Sequence, residues 1–190
     1  MKNATIRLGS SSAVRAMLLQ EQGIDFIQTA VDYDEEQIVA STPKNFVYQA
    51  TMGKFEAGLE LYGIDDYPLL CADTVVTSQG KILRKAKSVE DARKILMTQS
   101  GNMTSIVTCM IYQDREKKLI DISSTDYVFS DFDERKLQEY LESDLWRGKA
   151  GACMVEGFCK AYIKEVRGYE SCAMGLTVEK LQPFLLRQKI

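Results

Sequence analysis

The nine residues from Leu69 to Thr77, Leu-Leu-Cys-Ala-Asp-Thr-Val-Val-Thr, constrain the fold more than any other stretch of the chain. Their apolar character is almost unbroken, and such a run reads as a strand buried on both faces at the centre of a sheet. Asp73 stands in its middle, flanked by Leu69, Leu70, Cys71, Ala72, Val75 and Val76. A buried carboxylate without a partner is costly, so the fold has to bring a metal, a cation or hydrogen-bond donors to it.

The flanking segments supply the layers around that strand. Thr5 to Leu8 reads as a short strand, which Gly9-Ser10-Ser11-Ser12 breaks while capping a helix from Ala13 to Gln22. Val14, Met17 and Leu18 are read as the apolar face of that helix, and Gly23 as its stop. Asp25 to Val31 is a second strand, followed by the acidic run Asp32-Tyr33-Asp34-Glu35-Glu36. Thr42-Pro43 opens a long helix with Phe46, Ala50, Ala57 and Leu61 at helical spacing, closed by Gly63. After the central run, Ser78-Gln79-Gly80 turns the chain into Lys81 to Leu83, and Ser88 with Asp91 caps a helix to about Met97. Met103 to Gln113 and Lys118 to Ser130 form two long strands across the charged turn Asp114 to Lys117. Asp133 to Ser143 is a helix, Cys159 to Val166 a strand, and Thr177 to Arg187 a helix that contains Pro183. No repeat or linker interrupts this order, so residues 1–190 read as one α/β domain, a mixed parallel and antiparallel sheet with helices packed on it.

The chain contains no histidine. Triads, Cys-His dyads and His-ligated zinc are therefore excluded, and carboxylates, Lys, Cys, Tyr or a hard metal must do any chemistry. Five cysteines without a C-x-x-C pair read as reduced, mostly buried thiols. A formal charge of -3 offers no basic field for a nucleic acid polymer. No segment is apolar enough to span a membrane and Met1 to Ser12 holds no apolar signal core, so a cytoplasmic location is expected.

Three groups of residues stand out. Glu35 and Asp73 are acids that either share a metal ion or divide into metal ligand and general base, although from composition alone an acidic turn reads more readily as a solvated loop. Arg15, Lys54 and Lys85 form a phosphate clamp only if the fold makes them converge, and Gly9 to Ser12 offers backbone N–H groups at a helix start for them to converge upon. Gly148-Lys149-Ala150-Gly151-Ala152 with Glu156-Gly157 is either a close approach to a ligand or an ordinary glycine-containing loop.

In sequence order these pieces resemble the Maf family of nucleoside triphosphate pyrophosphatases. Leu8-Gly9-Ser10-Ser11-Ser12-Ala13-Val14-Arg15 is similar to the family's opening L-A-S-x-S-P-R-R, Ala72 to Val76 to A-D-T-x-V, and Gly80 to Lys85 to the turn that follows. Ser100-Gly101 and Thr108 resemble S-G-x-x-x-x-V-x-T, Lys149 to Gly157 resembles K-A-G-A-Y-x-I-Q-G, and Gly175-Leu176 stands where the family has G-L-P. The resemblance implies a two-lobed architecture with a cleft and magnesium-assisted hydrolysis to a monophosphate and pyrophosphate, with manganese as an alternative metal. It implies Asp73 as general base or metal-linked acid, Glu35 as magnesium ligand alongside Asp73, and Arg15, Lys54 and Lys85 as clamps on the phosphates, with Lys54 and Lys85 catalytic. Ser10, Val14, Thr74 and Glu156 join the substrate site, and a homodimer is compatible with the family. Val14 stands where the family has an arginine and Ala13, Ala86 and Thr177 where it has prolines, so one guanidinium fork is missing.

Thr74 resembles the branch acting on dTTP and UTP, whereas Glu156 resembles the branch acting on 7-methyl-GTP. A carboxylate only accepts, so Glu156 suits an edge with two neighbouring donors, as guanine has. Two other readings compete with the enzyme: a nucleotide-binding regulator of septum formation with weak or no turnover, and an interaction domain in which a surface cation such as Arg84, far from Lys54, satisfies Asp73. The expected outcome of a substrate panel is turnover of a modified purine nucleotide or of a broadened range of nucleotides, and dTTP turned over at least about tenfold better than guanine nucleotides would contradict the base assignment.

Overall fold

The computed structural model describes residues 5–153, 155 and 157–186. In chain order it contains β1 (Ile6–Leu8), α1 (Ala13–Glu21), β2 (Phe26–Gln28), α2 (Pro43–Tyr62), β3 (Leu69–Ser78) and β4 (Lys81–Leu83). These are followed by α3 (Val89–Gln99), β5 (Met103–Gln113), β6 (Lys118–Phe129), α4 (Glu134–Glu142), β7 (Ile163–Arg167), α5 (Glu170–Ala173) and α6 (Val178–Leu186). The strands join in the order β2-β1-β3-β5-β6-β7, with β4 added to β3. β1 runs parallel to both β2 and β3, whereas β4 is antiparallel to β3 and β7 to β6. The mixed sheet read from the sequence is therefore the observed one, and β3 is interior to it. Every residue of β3 is buried except Thr74, which is half-buried.

Local chemistry accounts for the element ends. Ser12, Thr42 and Ser88 cap α1, α2 and α3 by accepting hydrogen bonds from the backbone N–H groups of Arg15, Asn45 and Asp91. The β3–β4 hairpin closes through Gln79 and Gly80, both at positive φ (51° and 74°), the backbone that a two-residue turn between twisted strands requires. Several sequence expectations are corrected. β2 is a three-residue strand and not Asp25 to Val31, because β1 offers only Ile6 to Leu8 to pair with before the small-residue loop turns away. The segment expected to be strand from Cys159 begins with a tight helical turn, Phe158–Tyr162, because Phe158 packs its ring on Tyr140, Phe132 and Tyr162 at 4.6–5.2 Å. α1 buries Leu18 and Leu19 and leaves Val14 and Met17 exposed. α2 buries Phe46 and Ala50 as expected, yet its inner face continues through Phe55 and Gly58 and leaves Leu61 63% exposed. Arg187, the expected last helical residue, lies outside the described residues.

Two compact units are present. The first comprises the chain up to Thr74, Val107–Ser124 and everything from Tyr169 on. Its core gathers Leu8, Leu19, Leu70, Met110, Leu176 and Leu181. The second comprises Val75–Ile106 and Thr125–Gly168, where Trp146 is fully buried with its indole N–H on the Leu141 carbonyl at 2.9 Å. The expectation of five reduced thiols fails in this unit, since Cys153 and Cys159 form a disulfide, with Cα atoms 6.2 Å apart, across a six-residue step that needs no C-x-x-C spacing. Cys71, Cys109 and Cys172 are buried and outside any disulfide, as expected. Among the described residues, no helix is long and apolar enough to cross a membrane.

Candidate active site

The partner that Asp73 requires is Lys54. From the middle of α2, its Nζ donates to Asp73 Oδ1 at 2.7 Å and to Glu35 Oε1 at 2.5 Å, so one ammonium holds acids from the central strand and from the acidic turn. Glu35 lies in a tight turn, Glu35–Gln37, and the reading of that run as a purely solvated loop gives way to an ion pair. The reading with Arg84 capping Asp73 far from Lys54 is overturned by the same contact.

Burial pushes the Asp73 carboxyl above the usual carboxylate range, and Glu35 adds to the push while Lys54 and Arg15 oppose it. Burial alone would lower Lys54, but the Asp73 charge and the bonds to both carboxylates outweigh it and hold the ammonium above its ordinary value. The two directions pull apart, one describing a settled ion pair and the other a carboxylate that resents its charge. At 2.7 Å the charged pair is the state that the geometry holds, and the upward push on Asp73 measures what burial still costs it.

Arg15 organises the other side of β3. Its Nε donates to the Gly175 carbonyl at 2.8 Å, Nη1 to Ser10 Oγ at 3.1 Å and Nη2 to Thr74 Oγ1 at 3.2 Å. Burial lowers the Arg15 guanidinium from its ordinary value, with Asp73, Cys71 and Glu35 opposing, and a guanidinium stays charged through such a shift. Gln28 steadies the loop ahead of α1 by donating to the Ser10 and Ser12 carbonyls at 2.8 and 3.1 Å. Burial raises the Cys71 thiol to about 12 against the pull of Lys54 and Arg15, so it stays neutral beside them. Two cations, Lys54 and Arg15, thus balance two carboxylates, Asp73 and Glu35.

Of the residues singled out from sequence, Ser10, Arg15, Glu35, Lys54, Asp73 and Thr74 all belong to the first unit and fall into two groups, Lys54 with Glu35 and Asp73, and Arg15 with Ser10 and Thr74. Val14 is on α1, 42% exposed. Lys85 belongs to the second unit, exposed and bridged to Ala150 by the backbone. Glu156 lies outside the described residues. Sequence reasoning missed three participants. Thr108 and Gly175 were visible only as motif residues, and Gly53 was one more residue of α2. At Gly53 a side chain is absent because the Tyr33 ring occupies the place of a Cβ. Tyr33 precedes Glu35 by two residues and Gly53 precedes Lys54 by one, so this packing sets the acidic turn against the helix that carries the lysine.

Fold and cluster together define an α/β protein with a part-buried, charge-balanced site of two cations and two carboxylates. The model of the Maf-like protein family matches residues 5–188. A relative from a Nitratiruptor species, named nucleoside triphosphate pyrophosphatase, is 59% identical over 178 residues, covering 93% of this chain and 96% of the relative. Relatives of the same name from Helicobacter pylori and Campylobacter jejuni are each 38% identical, covering 92% and 94% of this chain and 91% and 98% of their own. The chain belongs to the Maf-like protein family.

A mid-helix Gly→Ala change ordinarily stabilises by about 1 kcal/mol. Gly53→Ala is expected to give no rise in melting temperature in the native chain and a rise in a Tyr33→Ala background, where the ring no longer occupies the methyl's place. Equal shifts in both backgrounds would show that Tyr33 does not pack as described.

Proposed function

We propose that this chain is a nucleoside triphosphate pyrophosphatase, hydrolysing a nucleoside triphosphate to the monophosphate and pyrophosphate with a divalent cation, magnesium or manganese. The observation that carries the reading is Lys54 between Glu35 and Asp73 in a chain whose relatives bear that enzyme name.

The residues fit a hard divalent cation. Glu35 and Asp73 offer oxygen donors only, the type magnesium takes, and among the described residues no group of three or more His, Cys, Asp or Glu is gathered into a self-contained metal cage. Two carboxylates suit an ion that keeps waters and shares a substrate's phosphate oxygens. When bound, such an ion neutralises phosphate charge and makes water a better nucleophile.

The chain's own groups divide the remaining work. Asp73, held by Lys54 through Oδ1, takes a proton from the attacking water at Oδ2, and its upward shift makes it a stronger base than a free aspartate. Of three ammonium N–H donors on Lys54 two are engaged, and the third serves a phosphate oxygen. Arg15 has five N–H donors and commits three within the protein, so it fixes Ser10 and Thr74 and keeps two for a ligand. Lys85 as a second phosphate-binding lysine, Val14 and Glu156 in the substrate site and a homodimer are carried by the family likeness.

One observation favours the reading as a nucleotide-binding regulator of septum formation: with Val14 in place of an arginine and Arg15 largely committed inside the protein, cationic help to a leaving pyrophosphate is reduced. Pyrophosphate release with magnesium decides between them. Asp73→Asn is expected to lose about 100-fold or more of kcat while still folding, and kcat/KM of the native chain should fall on acidification with a limb above about pH 4, the ordinary carboxylate value, because protonating a raised Asp73 removes the base. Equal turnover in both proteins, or nucleotide binding without release in either, would contradict the enzyme reading.

A further inference from the structure

One cysteine of the second unit can be reached from outside. Cys71, Cys109, Cys159 and Cys172 are all 0% exposed, whereas Cys153 is half-buried and bonded to Cys159. The bond follows a segment held in an unfavourable backbone. Ala152 lies at φ 50°, a left-handed conformation that a residue with a Cβ keeps only where its surroundings impose it. Ala150 bridges to Lys85, and the Gly151 N–H donates to the Arg84 carbonyl at 3.2 Å. Buried Gln99 donates through Nε2 to the Gly151 carbonyl at 2.7 Å, and the Tyr140 hydroxyl donates to the Ala152 carbonyl at 3.1 Å. The disulfide is the covalent tie that completes this set. Its other end is fixed independently, because Cys159 belongs to the helical turn Phe158–Tyr162 and the Phe158 ring stacks on Tyr140 at 4.6 Å. Tyr140 thus braces both sides of the bond.

We propose that Cys153 and Cys159 are a reversible redox modification site, reduced by a dithiol and oxidised by a small-molecule disulfide, whose bonded state holds the backbone of Lys149 and Lys85 in place for a nucleoside triphosphate. The effect on catalysis rests on the pyrophosphatase reading, whereas the exchange itself does not. In reduction, a thiolate of the dithiol attacks Cys153 Sγ, the end of the bond that can be reached. A mixed disulfide forms, the Cys153–Cys159 bond breaks, and Cys159 leaves as a thiolate that takes a proton. The second thiol of the reductant then displaces Cys153, which also takes a proton. Two electrons pass to the protein and the dithiol closes to its own disulfide. In oxidation a small-molecule disulfide accepts the two electrons, and its two halves leave as thiols. Because the Phe158–Tyr162 turn keeps Cys159 in place by its own packing, the two thiols remain neighbours and the bond re-forms within the chain.

Trypsin gives a direct readout, since cleavage after Lys149 and Lys160 releases residues 150–160, which hold Cys153 and Cys159 and no other cysteine. The folded chain is equilibrated with glutathione and glutathione disulfide at varied ratios, alkylated in denaturant and digested. This peptide is expected to be doubly alkylated at the reducing end and, at the oxidising end, unalkylated and about two mass units lighter than its dithiol form. The rate at which the folded chain is cut after the exposed Lys149 is expected to rise about fivefold or more on reduction with dithiothreitol. Over the same change kcat/KM for pyrophosphate release is expected to fall about fivefold or more. Cys153→Ser is expected to match the reduced chain in both measurements and to ignore dithiothreitol. A peptide that carries two thiols at every glutathione ratio, equal cleavage rates in the two redox forms, equal kcat/KM in both, or a Cys153→Ser chain that still responds to dithiothreitol would overturn the proposal. Absence of pyrophosphate release in both redox forms would strike the enzyme reading instead, because peptide mass and cleavage rate still decide the redox site.

Discussion

One ammonium group between two carboxylates holds the candidate site together. Asp73 is placed by the hydrophobic demands of a central strand, not by any local preference of aspartate for such surroundings, and burial works against its charge. Lys54 answers that from α2 and in the same act draws in Glu35 from a turn with little regular structure of its own. A lysine suits this task because its ammonium is a compact point charge with three donors, enough to hold two acids and still meet a third oxygen. The acids on their own would repel each other, and the acidic turn would lose its reason to lie against the helix.

A second consequence concerns the face of β3 that carries Thr74. Successive side chains of a strand point to opposite faces, so Asp73 and Thr74 serve two different clusters from adjacent positions. The Asp73 side holds charge in balance. The Thr74 side is a chain of directed hydrogen bonds running from Arg15 through Thr74 and Thr108 to the Cys172 carbonyl. Arg15, expected from sequence as a phosphate clamp, commits most of its donors to this internal scaffold, which makes it an organiser of the loop ahead of α1 as much as a binding group. Hydroxyl direction in such a chain is set by its end, where a carbonyl leaves no choice.

Much of this was legible in the residues alone, because the physics was strong and local. An aspartate inside an apolar run demands a partner whatever the fold, and caps such as Ser12, Thr42 and Ser88 mark helix starts by chemistry that acts within a few residues. The site's long-range geometry was not legible. Nothing near Gly53 says that a tyrosine ring from the acidic run rests on it, and nothing in a β5 threonine says which of two hydroxyl neighbours gives up its proton. Element ends were misjudged for a related reason. β2 is short because its partner β1 is short, and Phe158 to Tyr162 coil tightly because rings from other elements collect there. The Cys153–Cys159 disulfide escaped notice because pairing depends on how the backbone turns between the two residues, which spacing does not reveal.

Lys54 and Asp73 form one energetic unit. A double-mutant cycle on the free energy of unfolding, with Lys54→Met, Asp73→Asn and the pair, tests it most directly. The two single changes are expected to fail to add by more than about 1 kcal/mol, as residues in direct contact do. Additivity to within about 0.5 kcal/mol would mean that the two side chains act independently, and the site as described would not exist.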